Sequence, residues 1–182
     1  MKRTLIIILT GKNICVWFSA VMLLFAFVNS ASAQTNEAFV EKRISEIRAE
    51  VNAINKDTAK YTKKTKNVEG ISLEGTEATY YSSGKKLKKI TAQMFGETYN
   101  ATGEFYYQNG ELIFAFIKRN QYDTQSGLDT PPKIALTEER RFYFTNGKLI
   151  RMLVGKKELK FSERYSELKD EIVSISGKLK NL

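Results

Sequence analysis

Tyrosine, lysine and carboxylate side chains are the chemistry this sequence has to offer. It has 182 residues, nine tyrosines, no histidine and a single cysteine. Without histidine, the Ser-His-Asp and Cys-His nucleophile kits and haem held by an axial histidine are excluded. With one cysteine as well, most zinc sites go too. Hydrolysis would need two carboxylates, and Glu104, Glu111, Glu138 and Glu139 are the candidates. No residue pattern orders them into a pair. Asp123 and Asp129 flank a Gly-containing stretch whose ligand density is too low for a calcium loop, so no metal and no cofactor is expected. Neither a phosphate-binding glycine loop nor a nucleophile elbow is present.

Binding chemistry is better represented. Tyr81, Tyr106 and Tyr143, with Arg141 and Lys88 nearby, form an aromatic-basic set suited to a partner surface, and Asp123 opens a long loop at 121–133 beside it. Lysines concentrate in three runs, at 56–66, 85–89 and 156–160. Lysine greatly outnumbers arginine, which argues against bidentate phosphate recognition. The net charge of +9 favours anionic partners. An acidic protein or an anionic glycan fits an exported chain, and nucleic acid does not.

Export is read from the first 33 residues. Lys2 and Arg3 precede an apolar stretch, Ile14 to Val28 carries no charge, and Ala31-Ser32-Ala33 closes it with small residues. That order is the order of a secretory signal, cleaved after Ala33. The stretch is short against the ~20 residues of a membrane span, so membrane attachment would come only through an uncleaved signal. Cleavage removes Lys2, Arg3 and Lys12 with no carboxylate, and also removes Cys15. The remaining chain would sit in the periplasm or outside the cell without a disulfide, held by packing alone.

Two amphipathic helices must frame whatever site the chain builds. Val40, Ile44, Ile47, Val51 and Ile54 share one face, which predicts a helix over 36–57 capped by Thr35 or Asn36. Phe161, Tyr165, Leu168, Ile172, Ile175 and Leu179 predict a second over 162–178, with Ser162 as its cap. The lysine-rich 56–66 stretch either prolongs the first helix or forms a loop. Between them the chain reads as strand, near 76–82, 86–94, 98–108, 111–120, 138–145 and 148–155. Asn109-Gly110 and Asn146-Gly147 are hairpin turns, and the Ser83-Gly84 turn carries one extra residue and should be longer or bulged. The expected fold is α+β: a six-stranded antiparallel meander with both helices on one face and the tyrosine-rich face left as a platform. The parts are a signal (1–33), a helix and basic linker (34–70), the sheet (71–160) and a closing helix (161–182), the last three forming one domain.

The segments Tyr106 to Leu112 and Tyr143 to Leu149, with Tyr80 to Leu87 as a looser copy, share an aromatic pair, a Gly turn and a following leucine. This pattern resembles the hairpin unit of MORN-like repeat proteins. The overall layout is also similar to small exported bacterial proteins of unknown function. Neither resemblance implies a catalytic residue. The expectation is an exported, non-enzymatic binding module of the bacterial cell envelope. The alternatives are a carboxylate-based hydrolase of envelope glycans and a carrier of a hydrophobic ligand.

Overall fold

In the computed structural model, residues 14–123 and 133–181 are described, with backbone alone for 14–35. The chain divides into two compact units, Met1–Lys42 and Arg43–Leu182. The first helix, α1, runs over Ile14–Asp57 and belongs to both. It therefore does not begin at residue 36, and it passes through Ala31 and Ala33, whose side chains lie outside the described residues. In the first unit, Phe39 is exposed.

The second unit holds an eight-stranded sheet in the order of the chain, every neighbouring pair antiparallel. After a 3-10 turn at Thr58–Lys60 come β1 (Thr62–Val68), β2 (Thr76–Ser83), β3 (Lys86–Gly96) and β4 (Tyr99–Gln108). Then follow β5 (Glu111–Tyr122), β6 (Ile134–Thr145), β7 (Lys148–Val154) and the two-residue β8 (Lys157–Glu158). Six of these are the expected strands. The other two, β1 and β8, are the sheet's edges, and their sequences hide them. Val68 is the one buried residue of β1, so no apolar alternation marks it.

The three central hairpins are built alike. Asn109 and Gly110 take φ of 52° and 82°, and Asn146 and Gly147 take 49° and 70°, the double positive φ of a type I′ turn. The first hairpin also has a two-residue loop, Gly84-Lys85, closed by Ser83 opposite Lys86. Here Gly84 alone has positive φ, at 58°, which matches the type II′ preference for glycine first. Each hairpin then carries a bulge at the same place, leaving Lys88, Ile113 and Ile150 unpaired in register. The loop of the first copy is thus not longer than the others. Its tyrosine equivalent to Tyr106 and Tyr143 is Tyr81, one residue later than the sequence pattern suggests.

The helices lie on opposite faces, which corrects the expectation of one shared face. Leu168, Ile172 and Leu179 of α2 (Glu163–Lys180) pack with Ala78, Ile90, Phe105, Tyr107, Phe142 and Met152 in one buried cluster. Ser162 accepts the Tyr165 amide and caps this helix as expected. Phe161 stands before the helix and is 92% exposed, so it does not join the stripe. On the other face lie residues 43–57 of α1, with Ile44, Ile47 and Ile54 at 1–2% exposure. Fourth-strand burial explains the arrangement. Tyr106 and Tyr107 point to opposite faces, yet each is 1% exposed, so both faces need a cover.

Candidate functional site

One cross-strand row organises the face toward α1. Register aligns Lys63, Tyr81, Lys89, Tyr106, Phe114, Tyr143 and Arg151 on seven successive strands. Cations and rings alternate over its first four positions, and three successive rings, Tyr106, Phe114 and Tyr143, then precede Arg151. Lys63 Nζ lies 5.6 Å from the Tyr81 ring centroid and Lys89 Nζ 4.9 Å from that of Tyr106. The Tyr106–Phe114 and Phe114–Tyr143 centroids are 5.8 and 4.9 Å apart. Such contacts stabilise a sheet by about 0.5–1.5 kcal/mol each beyond burial.

Helix α1 crosses the middle of this row and covers most of it, leaving a cleft of about 220 Å³ between Ile47, Arg48, Val51 and Asn52 and the Phe114 and Tyr143 rings. Asn55 Oδ1 accepts from Lys89 Nζ at 3.0 Å and from the Tyr106 hydroxyl at 3.1 Å. Glu104 accepts from the same two groups, at 3.2 and 2.6 Å. The Arg48 guanidinium sits 5.7 Å from the Tyr143 centroid. Burial holds the Tyr106 phenol well above its ordinary pKa, and its bond to Glu104 acts in the same direction. On the other face, burial pushes Tyr107 up to about 12, partly offset by its hydrogen bond with Ser176. Neither phenol ionises near neutral pH.

Of the residues singled out from sequence, the three tyrosines do share one row. Tyr106 and Tyr143, at 1% and 3% exposure, lie under α1 and present no open platform. Tyr81 stays half-buried toward the β1 edge. Lys88 is the bulge residue and lies 3.9 Å from Glu50 of α1. Arg141 sits one row further, binding Glu139 at 2.7 Å and stacking on Phe116. Asp123 ends the fifth strand's side of the long loop, its amide donating to the Lys133 carbonyl at 2.7 Å. The rest of that loop, 124–132, including Asp129, lies outside the described residues.

The carboxylates proposed for hydrolysis are distributed among cations. Glu104 holds Lys89, Glu139 holds Arg141, and Glu138 holds both Arg140 and Arg164. Partial burial raises the Glu138 pKa, but the two guanidiniums outweigh it and the carboxyl ends below the usual range. An ionised, arginine-held carboxylate is poorly suited to general-acid work. Glu111 lies exposed at a hairpin tip. Among the described residues no three acidic, cysteine or histidine groups cluster to hold a metal ion.

What the fold assembles instead is a basic corner. Pairing of β1 with β2 sets Thr62 opposite Ser82, so the β1 end that carries Lys63 and Lys64 lies at the same end of the sheet as the Gly84-Lys85 tip and Lys86. Two lysine runs about 20 residues apart in sequence are thus brought to neighbouring strands, with Lys63 and Lys64 on opposite faces of β1. Lys63, Lys64, Lys85 and Lys86 are exposed, and among the described residues no ion pair engages them. A cleft of about 420 Å³ opens between the first two hairpin tips, lined by Lys85, Lys86, Leu87, Lys88, Asn109 and Gly110. The far end of the same β-edge is acidic: Glu69, Glu74 and Glu77 line a hollow of about 520 Å³ with Leu73 and Phe95. The third run, Lys156, Lys157 and Lys160, belongs to the opposite edge of the sheet. The runs are visible in sequence, but nothing local tells that the first two meet, because β1 has no strand signature.

Comparison of the chain with protein-family models, with curated proteins and with solved structures finds no match to any of them. The likeness to MORN-like hairpins therefore rests on turn chemistry alone.

Proposed function

We propose that residues 34–182 work as an exported, non-enzymatic binding module of the bacterial cell envelope. Its contact surface, in this reading, is the lysine corner formed by Lys63, Lys64, Lys85 and Lys86, and its partner is anionic. The observation that carries the proposal is that these four exposed lysines, on both faces of β1 and at the adjoining β2–β3 tip, have no carboxylate to neutralise them. By contrast, the cations that lie over the packed sheet faces, Arg140, Arg141 and Lys89, each hold a glutamate. Lysines suit diffuse attraction to a negative surface more than geometric recognition of one phosphate.

A carboxylate hydrolase or a hydrophobic carrier has less in its favour. Glu104, Glu138 and Glu139 are each engaged by a cation. The buried apolar side chains of the sheet are covered by α2 on one face and by Ile44, Ile47 and Ile54 of α1 on the other, and the cleft left beside Phe114 and Tyr143 is only about 220 Å³.

The test is retention on a dextran sulfate column, chosen as a generic polyanion. The chain lacking residues 1–33 should bind, and elute with rising salt. Replacing Lys63, Lys64, Lys85 and Lys86 by glutamate should abolish retention while the thermal midpoint holds. Unchanged retention of that variant would remove the corner from the proposal. Localisation is checked separately: N-terminal sequencing of the exported protein should begin at Gln34.

A further inference from the structure

We infer that the partner of the lysine corner is an extended acidic peptide segment, which adds to β1 as a ninth strand. The inference rests on the anion-binding reading above and names its partner class.

The two edges of the sheet are treated differently. At β8 the strand lasts two residues before the chain leaves toward α2. At β1 the edge runs for seven residues, all in register with β2, and no strand of the described residues pairs with its outer side. In an antiparallel edge strand, alternate backbone N–H and C=O groups point outward and can template another chain.

Charge then decides which chain. Lys64 and Lys66 stand opposite Tyr80 and Ala78, on the face toward α2. Lys63 stands opposite Tyr81, on the other face. A second copy pairing antiparallel about Thr65 would set Lys64 against Lys66, and like charges directly opposite are destabilising. Self-pairing in that symmetric register is thereby disfavoured. The exposed Lys63 and Lys64 favour a strand whose outward side chains are carboxylates, in the cross-strand positions where opposite charges are worth about 0.2–1 kcal/mol each. Lys85 and Lys86 extend the positive strip beyond the end of β1, so the peptide's acidic run can outlast the strand pairing. A guard against aggregation and a selective acceptor are one device here, seen from two different partners.

The probe is a ten-residue peptide of alternating glutamate and threonine, titrated into the chain lacking residues 1–33. Binding should slow hydrogen exchange at amides within 62–68. The same peptide N-methylated at every residue keeps its charge but cannot pair, and should bind at least about 10-fold more weakly. The triple variant Lys63→Glu, Lys64→Glu, Lys66→Glu should lose the peptide, with its fold verified by thermal unfolding. Equal binding of the methylated peptide, or binding with unchanged exchange over 62–68, overturns strand addition. Dextran sulfate retention would in that case still stand and keep the anion-binding reading. If the corner holds neither peptide nor dextran sulfate, both readings fall together.

Discussion

At the scale of single residues, the chemistry of this protein is a matter of satisfied pairs. Lys89 is 7% exposed, and a buried ammonium is tolerable only with partners. It has Asn55 and Glu104 at hydrogen-bond distance and the Tyr106 ring beneath it. Asn55→Ala removes one acceptor shared by Lys89 and Tyr106. Because Glu104 still accepts from both, the expected cost is about 0.5–1.5 kcal/mol, measured by denaturant unfolding, whereas Asn52→Ala, which removes no hydrogen bond to the sheet, should change little. Glu138 gives the pH prediction. Its folded pKa lies below the unfolded one, so its contribution is present above the ordinary carboxylate range and is lost as pH falls through the folded value. The thermal midpoint of Glu138→Gln should therefore fall below the parent's at pH 7, and the two should converge in acid. A gap that persists at pH 2 would mean that Glu138 acts through packing and not through charge.

At the scale of elements, the three hairpins show what local sequence can dictate. Asn-Gly turns need two successive positive φ angles, and few residue pairs accept them, so the turns at 109–110 and 146–147 are legible without a structure. The common bulge is not legible, since Lys88, Ile113 and Ile150 share no residue type. It is also what shifts the first copy by one residue and identifies Tyr81 as the partner of Tyr106 and Tyr143 in the row. Helix α1 is the element that decides what the row can do. Ile47 and Ile54 anchor it at 2% exposure. Either one changed to alanine should cost about 2–5 kcal/mol by urea unfolding. If α1 were only loosely laid on the sheet, both losses would stay far smaller.

At the scale of the whole molecule, charge is sorted along the β1–β2 edge. Lysines gather at the hairpin-tip end and Glu69, Glu74 and Glu77 at the other. Binding to a polyanion through the first end should weaken steeply with salt, because released counterions and screened charges dominate such contacts. Reversing Lys156, Lys157 and Lys160 on the opposite edge should leave that salt dependence nearly unchanged, as read by column retention. An equal loss from both edges would mean that net charge alone, and no particular surface, governs retention.

The sequence by itself determined the α+β class, six of the strands, two of the turns, the cap at Ser162 and most of the two apolar stripes. These follow from periodicity and from backbone preference, which act over a few residues. Tertiary structure alone decided that the stripes meet opposite faces of the sheet. A stripe states that a helix has a covered side, but not which surface covers it. The same holds for the tyrosines: their alternation put Tyr106 on one face, and only the helix laid over that face made the ring a buried strut. The edge strand is the other case. Thr62 to Val68 carries no alternating pattern because an edge strand with lysine on both faces needs none. Pairing with β2 alone turns a solvated lysine run into part of one basic corner.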